Sequence, residues 1–254
     1  CQASGKTEQD TCRYRKMPHM RNFAKILSLT AFLAFSAFGA DDAGPRGHWS
    51  GNVELPNRQL GVEVDLDMPA KDWVGSISIP AQGASGIPLD NIAFADGKLS
   101  FRIQGAPGDP TLSGKLSDEG KTIAGEFAAG GGAFPFKLTR TGDAKVEAAK
   151  PNARVGDAFV GSWDAALQLP GATLQLNLKL SNTAQGAEAL LTSVDQGNAP
   201  MPVNTVEQTD TKLVLKIKMI GGEFRGDIDK EGAEIRGTWS QMGNSLPLIF
   251  KKTR

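Results

Sequence analysis

Between residues 60 and 68 the chain reads LGVEVDLDM, with Leu60, Val62, Val64, Leu66 and Met68 apolar and the residues between them polar or small. The same alternation returns in TLQLNLKL (173–180) through Leu174, Leu176, Leu178 and Leu180. It returns again in KLVLKIKMI (212–220) through Leu213, Leu215, Ile217 and Met219. Successive side chains of a strand point to opposite faces, so this pattern buries one face and wets the other. Asp96-Gly97, Glu119-Gly120 and Glu231-Gly232 separate such runs and supply residues that tolerate positive φ in hairpin turns. No long stretch with a 3.6-residue period follows the first forty residues. The pattern predicts an all-β protein of short antiparallel strands.

The pattern is also written twice. GHWSGNVELP (47–56) recurs as GSWDAALQLP (161–170), 114 residues later. At that offset Leu60 meets Leu174, Leu66 meets Leu180, Gln82-Gly83 meet Gln196-Gly197, and Pro88 meets Pro202. After a two-residue contraction Gly114, Gly120, Ile123, Gly125, Gly131 and Pro135 meet Gly226, Gly232, Ile235, Gly237, Gly243 and Pro247. Internal repeats decide the fold before any single motif does. Residues 40–143 and 158–254 read as two copies of one β-domain, each of seven or eight strands. Strand edges need cover, and closure into a small up-and-down barrel supplies it. Curved open sandwiches, or one larger barrel shared by both copies, are the alternatives. The segment 144–157 is polar, rich in Ala and Lys and interrupted by Pro151, so it reads as a linker with room for a short helical turn at 144–150.

The first forty residues belong to neither copy. Residues 1–39 form a leader in which a basic start, Met20-Arg21-Asn22-Phe23-Ala24-Lys25, precedes the apolar run ILSLTAFLAFSAFGA (26–40). That run falls short of the roughly twenty residues a membrane helix needs. Ala37 and Gly39 suit the −3 and −1 positions of a signal peptidase site, so residues 20–39 read as a secretory signal peptide cleaved near Gly39–Ala40. The implied location is periplasmic or extracellular, with no stable membrane span after cleavage. Both cysteines, Cys1 and Cys12, lie in the leader, so the mature part has neither disulfides nor thiolate metal sites. Without the leader 22 Lys/Arg face 26 Asp/Glu, a net charge of −4, which argues against a nucleic-acid partner.

Residues able to carry chemistry are sparse. The mature part has one histidine, His48, and no Gly-x-Ser-x-Gly nucleophile elbow, so no Ser-His-Asp triad can be assembled from recognisable parts. A lone strand histidine of this kind is expected in solvent. Zinc wants a set of Cys and His, and Asp227, Asp229 and Glu231 lack the spacing of a calcium loop. These acids read as solvated strand ends. The glycines of AAGGGAF (128–134) precede no helix or Lys-Ser/Thr pair, so they form a turn and not a phosphate cradle. No catalytic residue, metal site or cofactor is expected.

Two resemblances add context. Gly47-His48-Trp49 and Gly161-Ser162-Trp163, each followed by a meander, are similar to the start of lipocalin-like and avidin-like barrels, in which the Trp plugs one end. The second copy also resembles a small exported bacterial β-domain often found ahead of α/β-hydrolase domains. The resemblance is carried by Ser193, Asp195, Gln196, Gly197 and Pro202, and by Gly226, Gly237, Thr238, Trp239, Gln241, Gly243, Pro247 and Leu248. It covers 161–254 well and 47–141 weakly, since Asp195, Trp239 and Gln241 become Ala81, Phe127 and Ala129 in the first copy. What it implies is an accessory setting beside a hydrolase, without a mechanism.

The four polar and aromatic residues kept only in the second copy admit two readings. Gln196 and Gln241 could satisfy backbone groups at turns. Alternatively Asp195, Gln196, Trp239 and Gln241 line one mouth of the second barrel, where an aromatic wall with a few placed polar groups makes a small-ligand site. The function expected is a non-catalytic exported binding or interaction module for a small ligand or an exported protein partner. An accessory module for a separately encoded α/β-hydrolase and a structural spacer are the alternatives.

Overall fold

The structure, a computed structural model, describes residues 44–146 and 150–253. The leader with its predicted signal peptide lies outside the described residues, as do 147–149 of the predicted linker turn. Residues 144–146 and 150 are irregular.

The first copy is a closed up-and-down barrel of eight antiparallel strands. They are β1 (Gly47–Leu55), β2 (Arg58–Asp67), β3 (Val74–Ile79), β4 (Ala84–Ala95), β5 (Lys98–Ile103), β6 (Thr111–Leu116), β7 (Thr122–Ala129) and β8 (Gly132–Gly142). Each strand pairs with the next, and β8 returns to β1. The alternation sets the faces as expected: Val62, Val64 and Leu66 are buried while Glu63 and the tips of the turns face water. Tight turns take the predicted residues, with Asp96 and Gly97 at φ 52° and 72° and Gly130 and Gly131 at 58° and 81°. The repeated glycines have a second purpose. Gly114 faces Gly125 across β6 and β7, and a Cβ on Gly125 would overlap the Ser113 carbonyl and the Gly114 Cα. Gly226 and Gly237 repeat this close approach in the second copy.

The second copy has nine strands: β9 (Gly161–Leu169), β10 (Ala172–Thr183), β11 (Gly186–Ser193), β12 (Pro200–Pro202), β13 (Thr205–Thr209), β14 (Lys212–Ile217), β15 (Gly222–Ile228), β16 (Glu234–Gln241) and β17 (Asn244–Lys252). Their order is β12-β11-β10-β9-β17-β16-β15-β14-β13. The two outermost strands are consecutive in the chain and joined by Val203-Asn204, so the ring is completed by the chain itself and not by a ladder. Together β12 and β13 take the place of β4. In the first copy β4 stays continuous although its pairing with β5 shifts register between Asp90 and Ala93, where Arg102 bonds Asp90 at 2.7 and 2.9 Å. In the second copy Asn204 stands at that point and its Oδ1 accepts the Lys218 N–H, which ends the strand.

Each barrel has its own core, closed at one end by tryptophan as the Gly-x-Trp pattern implied. Trp49 donates its indole N–H to Pro45 O and Trp163 donates to Phe159 O, both at 2.9 Å. The Arg140 guanidinium lies 4.8 Å from the Trp49 ring and the Lys252 ammonium 5.0 Å from Trp163, so each plug is covered by a cation. At the opposite end of the strands sit the 3₁₀ turns Pro80–Gln82, Val194–Gln196 and Lys218–Ile220. Through these turns the barrels touch. Met219 packs against both cores, and side chains on Gly221 and Gly105 would overlap the Gly83 carbonyl and Pro202. The two barrels thus belong to one compact unit.

The segment ahead of β9 is a working part of the second barrel and more than a spacer. Val155 and Phe159 are buried in its core. Asn152 bonds Ala187 of β11 through both main chain and side chain, and its Oδ1 accepts the Val206 N–H of β13 at 2.9 Å. It therefore bridges β11 and β13 below the point where β12 ends.

Candidate functional site at an incomplete barrel wall

Hairpin geometry fixes which backbone groups of β9 and β17 face each other. The two-residue turn Pro170-Gly171 makes Leu169 and Ala172 a hydrogen-bonded pair, so odd residues of β9 bond β10 and even ones face β17. Around Met242-Gly243 the same logic leaves Pro247, Ile249 and Lys251 facing β9. In the first copy the equivalent strands β1 and β8 pair from His48↔Gly142 to Val53↔Phe136. In the second, pairing is confined to Lys252↔Trp163 and Lys251↔Asp164, beside a Thr253-to-Ser162 bond of 2.8 Å. Beyond Asp164 the wall has no ladder.

One methyl group at the crossing distinguishes the two walls. A Cβ on Gly51 would overlap the Lys137 carbonyl oxygen and lie 2.9 Å from the Leu138 Cα, so β8 can cross β1 only over a glycine. The repeat places Ala165 at that position. Its side chain is buried, and the close crossing is barred. Pro247, which lacks an N–H, faces the same gap and could not donate into a ladder.

A hollow lies on each face of this seam. The outer one, about 480 Å³, is lined by Asp164, Ala165, Ala166, Gln168, Gln175, Pro247, Ile249 and Lys251. The other, about 260 Å³, opens at the end of the barrel among Leu169, Trp239, Gln241, Met242, Asn244 and Leu246. Ligand pockets typically span about 300–1,000 Å³, so the outer hollow is of ligand size and the end hollow slightly below it. Asp164 accepts from the Asn177 amide at 2.7 Å and Lys251 lies 3.4 Å from Glu234, which leaves the middle of the outer hollow uncharged.

The sequence-predicted residues fall at this end of the barrel but not in one cluster. Trp239 is buried against Gly222, and its indole N–H meets Gln241 Oε1 at 3.2 Å. Gln241 in turn donates to Ile220 O at 2.9 Å. These two share the end hollow. Asp195 instead accepts the Gln175 N–H at 2.7 Å, anchoring the 3₁₀ turn to β10, and Gln196 is exposed at the end of that turn. Neither lines a hollow described above. Met242, 66 % exposed and at positive φ, and Ala165 were missed; the Gly51-to-Ala165 change in the repeat was the available signal.

Other candidates sort differently. His48 is not a free surface side chain: its Nδ1 lies 2.8 Å from Asp65 Oδ1, which also accepts the Lys145 N–H at 2.8 Å. Asp227 engages Thr211 and Lys212, and Asp229 accepts the Ala233 N–H in its own turn. Among the described residues no three His, Cys, Asp or Glu side chains gather closely enough to hold a metal ion. Among them no helix is long and apolar enough to cross a membrane.

No protein-family model and no curated protein matches the chain. Among solved structures it is similar to a protein of unknown function from the DUF3598 family of Nostoc punctiforme, with 12% identity over 82% of this chain and 96% of that one and a TM-score of 0.23. A candidate AttH from Nitrosomonas europaea gives 16% identity over 90% and 99%, with a TM-score of 0.21. An agglutinin from Burkholderia oklahomensis gives 10% identity over 82% and 84%, with a TM-score of 0.18.

Proposed function

We propose that the protein is an exported, non-catalytic binding module that takes its ligand at the mouth of the second barrel, where Trp239, Gln241 and Met242 meet the open end of the β9–β17 seam. The observation that carries this reading is the failed ladder beyond Asp164, with a hollow on each face of it. An interrupted wall supplies what a filled barrel interior does not: apolar surface beside a few polar groups, the mixture small-ligand sites use. The reading of no catalysis rests on the sequence, which has one mature histidine and no Gly-x-Ser-x-Gly nucleophile elbow. Export rests on the leader. A setting beside a separately encoded α/β-hydrolase rests on the sequence resemblance alone, and nothing in the geometry favours it.

A fragment screen by amide chemical shifts tests the reading. Fragments should perturb Leu169 and the Trp239–Leu246 hairpin, with no turnover of ester, peptide or β-lactam substrates. Shifts confined to the first barrel, or activity lost on replacing one serine, would refute it.

A further inference from the structure

We infer that the end hollow of the second barrel takes a small uncharged ligand with an apolar body and one amide-like group, and that Met242, backed by the first barrel, is the residue that selects it. This rests on the binding-module reading and names its ligand class. Met242-Gly243 joins β16 to β17 with both residues at positive φ, 49° and 79°. Two-residue turns of this kind favour Asn, Asp or Gly, whose short or absent side chains tolerate the left-handed region. The first copy has Gly130-Gly131 there, and among the described residues every other non-glycine at positive φ is Asn or Asp. A methionine has neither the freedom of glycine nor a local hydrogen bond to offer, so its conformation costs free energy. An outlier of this sort points to a use for the side chain.

Core packing is not that use, because Met242 is largely exposed. Its side chain stands between two surfaces. On one side it lines the end hollow with Leu169, Trp239 and Leu246. On the other it lies over the end of the Pro80–Gln82 turn of the first barrel, where a Cβ on Gly83 would come 3.4 Å from the Met242 Cγ. Gly221 lets the barrels meet closely at this turn, since a Cβ there would overlap the Gly83 carbonyl. The hollow is thereby walled by a flexible thioether chain that adapts to apolar shapes and is supported from behind by the other copy. No charged residue lines it. A charged ligand would lose water there without gaining a counter-ion, whereas Gln241 and the exposed Asn244 can exchange hydrogen bonds with an amide. A volume of about 260 Å³ restricts the ligand to a small one.

The probe is hexanamide, titrated into the full chain and followed by the amide chemical shifts of residues 239–246. Hexanoate, with the same alkyl chain and a charge, is the control. Hexanoate should bind at least tenfold more weakly than hexanamide. Met242→Gly restores the residue type of the first copy and relieves the turn, so it should weaken hexanamide binding at least fivefold without lowering the midpoint of chemical denaturation. Met242→Asn should do the same, which keeps the test alive if either variant fails to fold, and Met242→Leu should rescue binding. If Met242 serves only the contact between barrels, Met242→Gly will speed hydrogen exchange at Gly83 and Gly221 and leave the titration unchanged, and the inference is overturned. Equal binding of hexanoate overturns it as well. If screened fragments bind the Trp239 mouth but hexanamide does not, the inference falls and the binding-module reading stands. If nothing binds there, both fall.

Discussion

The two barrels share strand order, tryptophan plug, covering cation and facing glycines, yet one wall is complete and the other is not. Among the differences between the paired strands, Gly51 against Ala165 falls where the first barrel's crossing has no room for a Cβ. In a closed sheet the first and last strands meet last and with least room, so closure depends on whether backbone can approach backbone there. A side chain as small as a methyl is enough to prevent it, because its obstacle is a carbonyl oxygen that cannot move aside as a flexible side chain would. The first barrel reads as a finished scaffold. The second reads as the same scaffold with one seam stapled by the preceding segment and one whose ladder stops after Asp164.

The sharpest way to break this comparison is Gly51→Ala. The added Cβ meets backbone, so the first barrel should lose about 3 kcal/mol, at the upper end of overpacking effects. Ala165→Gly should change stability by less than about 1 kcal/mol, as the loss from a strand glycine is offset by regained ladder bonds. Chemical denaturation of both variants checks the asymmetry; equal effects would sink the steric account.

Next in size are the plugs. Trp49→Phe and Trp163→Phe each leave a carbonyl unpaired, at Pro45 and Phe159, and shrink a fully buried side chain. Each should lower stability by about 2 kcal/mol. Here the two barrels should respond alike, and a large difference would show that the plugs are not equivalent.

Asn152→Ala removes the staple between β11 and β13. A loss of about 1–2 kcal/mol is expected, with faster exchange of the Val206 amide and no change in the first barrel. Faster exchange spread over both barrels would mean that Asn152 acts through the contact between them.

The smallest effects concern the residues peculiar to the second copy. Gln241→Ala cuts the link from Trp239 to Ile220 and should lower stability by about 1 kcal/mol. Gln196→Ala, at an exposed turn position, should stay within about 0.5 kcal/mol. If the double variant binds fragments as well as the unaltered chain, Gln241 is purely structural and the site lies wholly in the seam.

Much of this architecture was legible in the chain. Alternation at Leu60–Met68 and Leu174–Leu180 identified buried strand faces, since a period of two leaves few alternatives, and the repeat gave the equivalence of Trp49 with Trp163. Of the four candidate site residues, Trp239 and Gln241 do meet, because two residues apart on one strand they share a face. Asp195 and Gln196 were grouped with them by motif, but they sit on the opposite side of the ring, a separation that linear order cannot express. The polar composition of 144–157 suggested a free linker. It hid Asn152 and Val155, whose roles depend on which strand edges lie beside them.

The sequence by itself determined the strands, their turns, the duplication and the plugs, because each of these follows from local periodicity or from backbone preferences of a few adjacent residues. Whether each ring closes, where the linker docks, and that Met219 joins two cores were decided only in the tertiary structure. Those outcomes turn on the approach of segments far apart in the chain, where a single Cβ or amide changes whether backbone groups meet each other or are left for something else to satisfy.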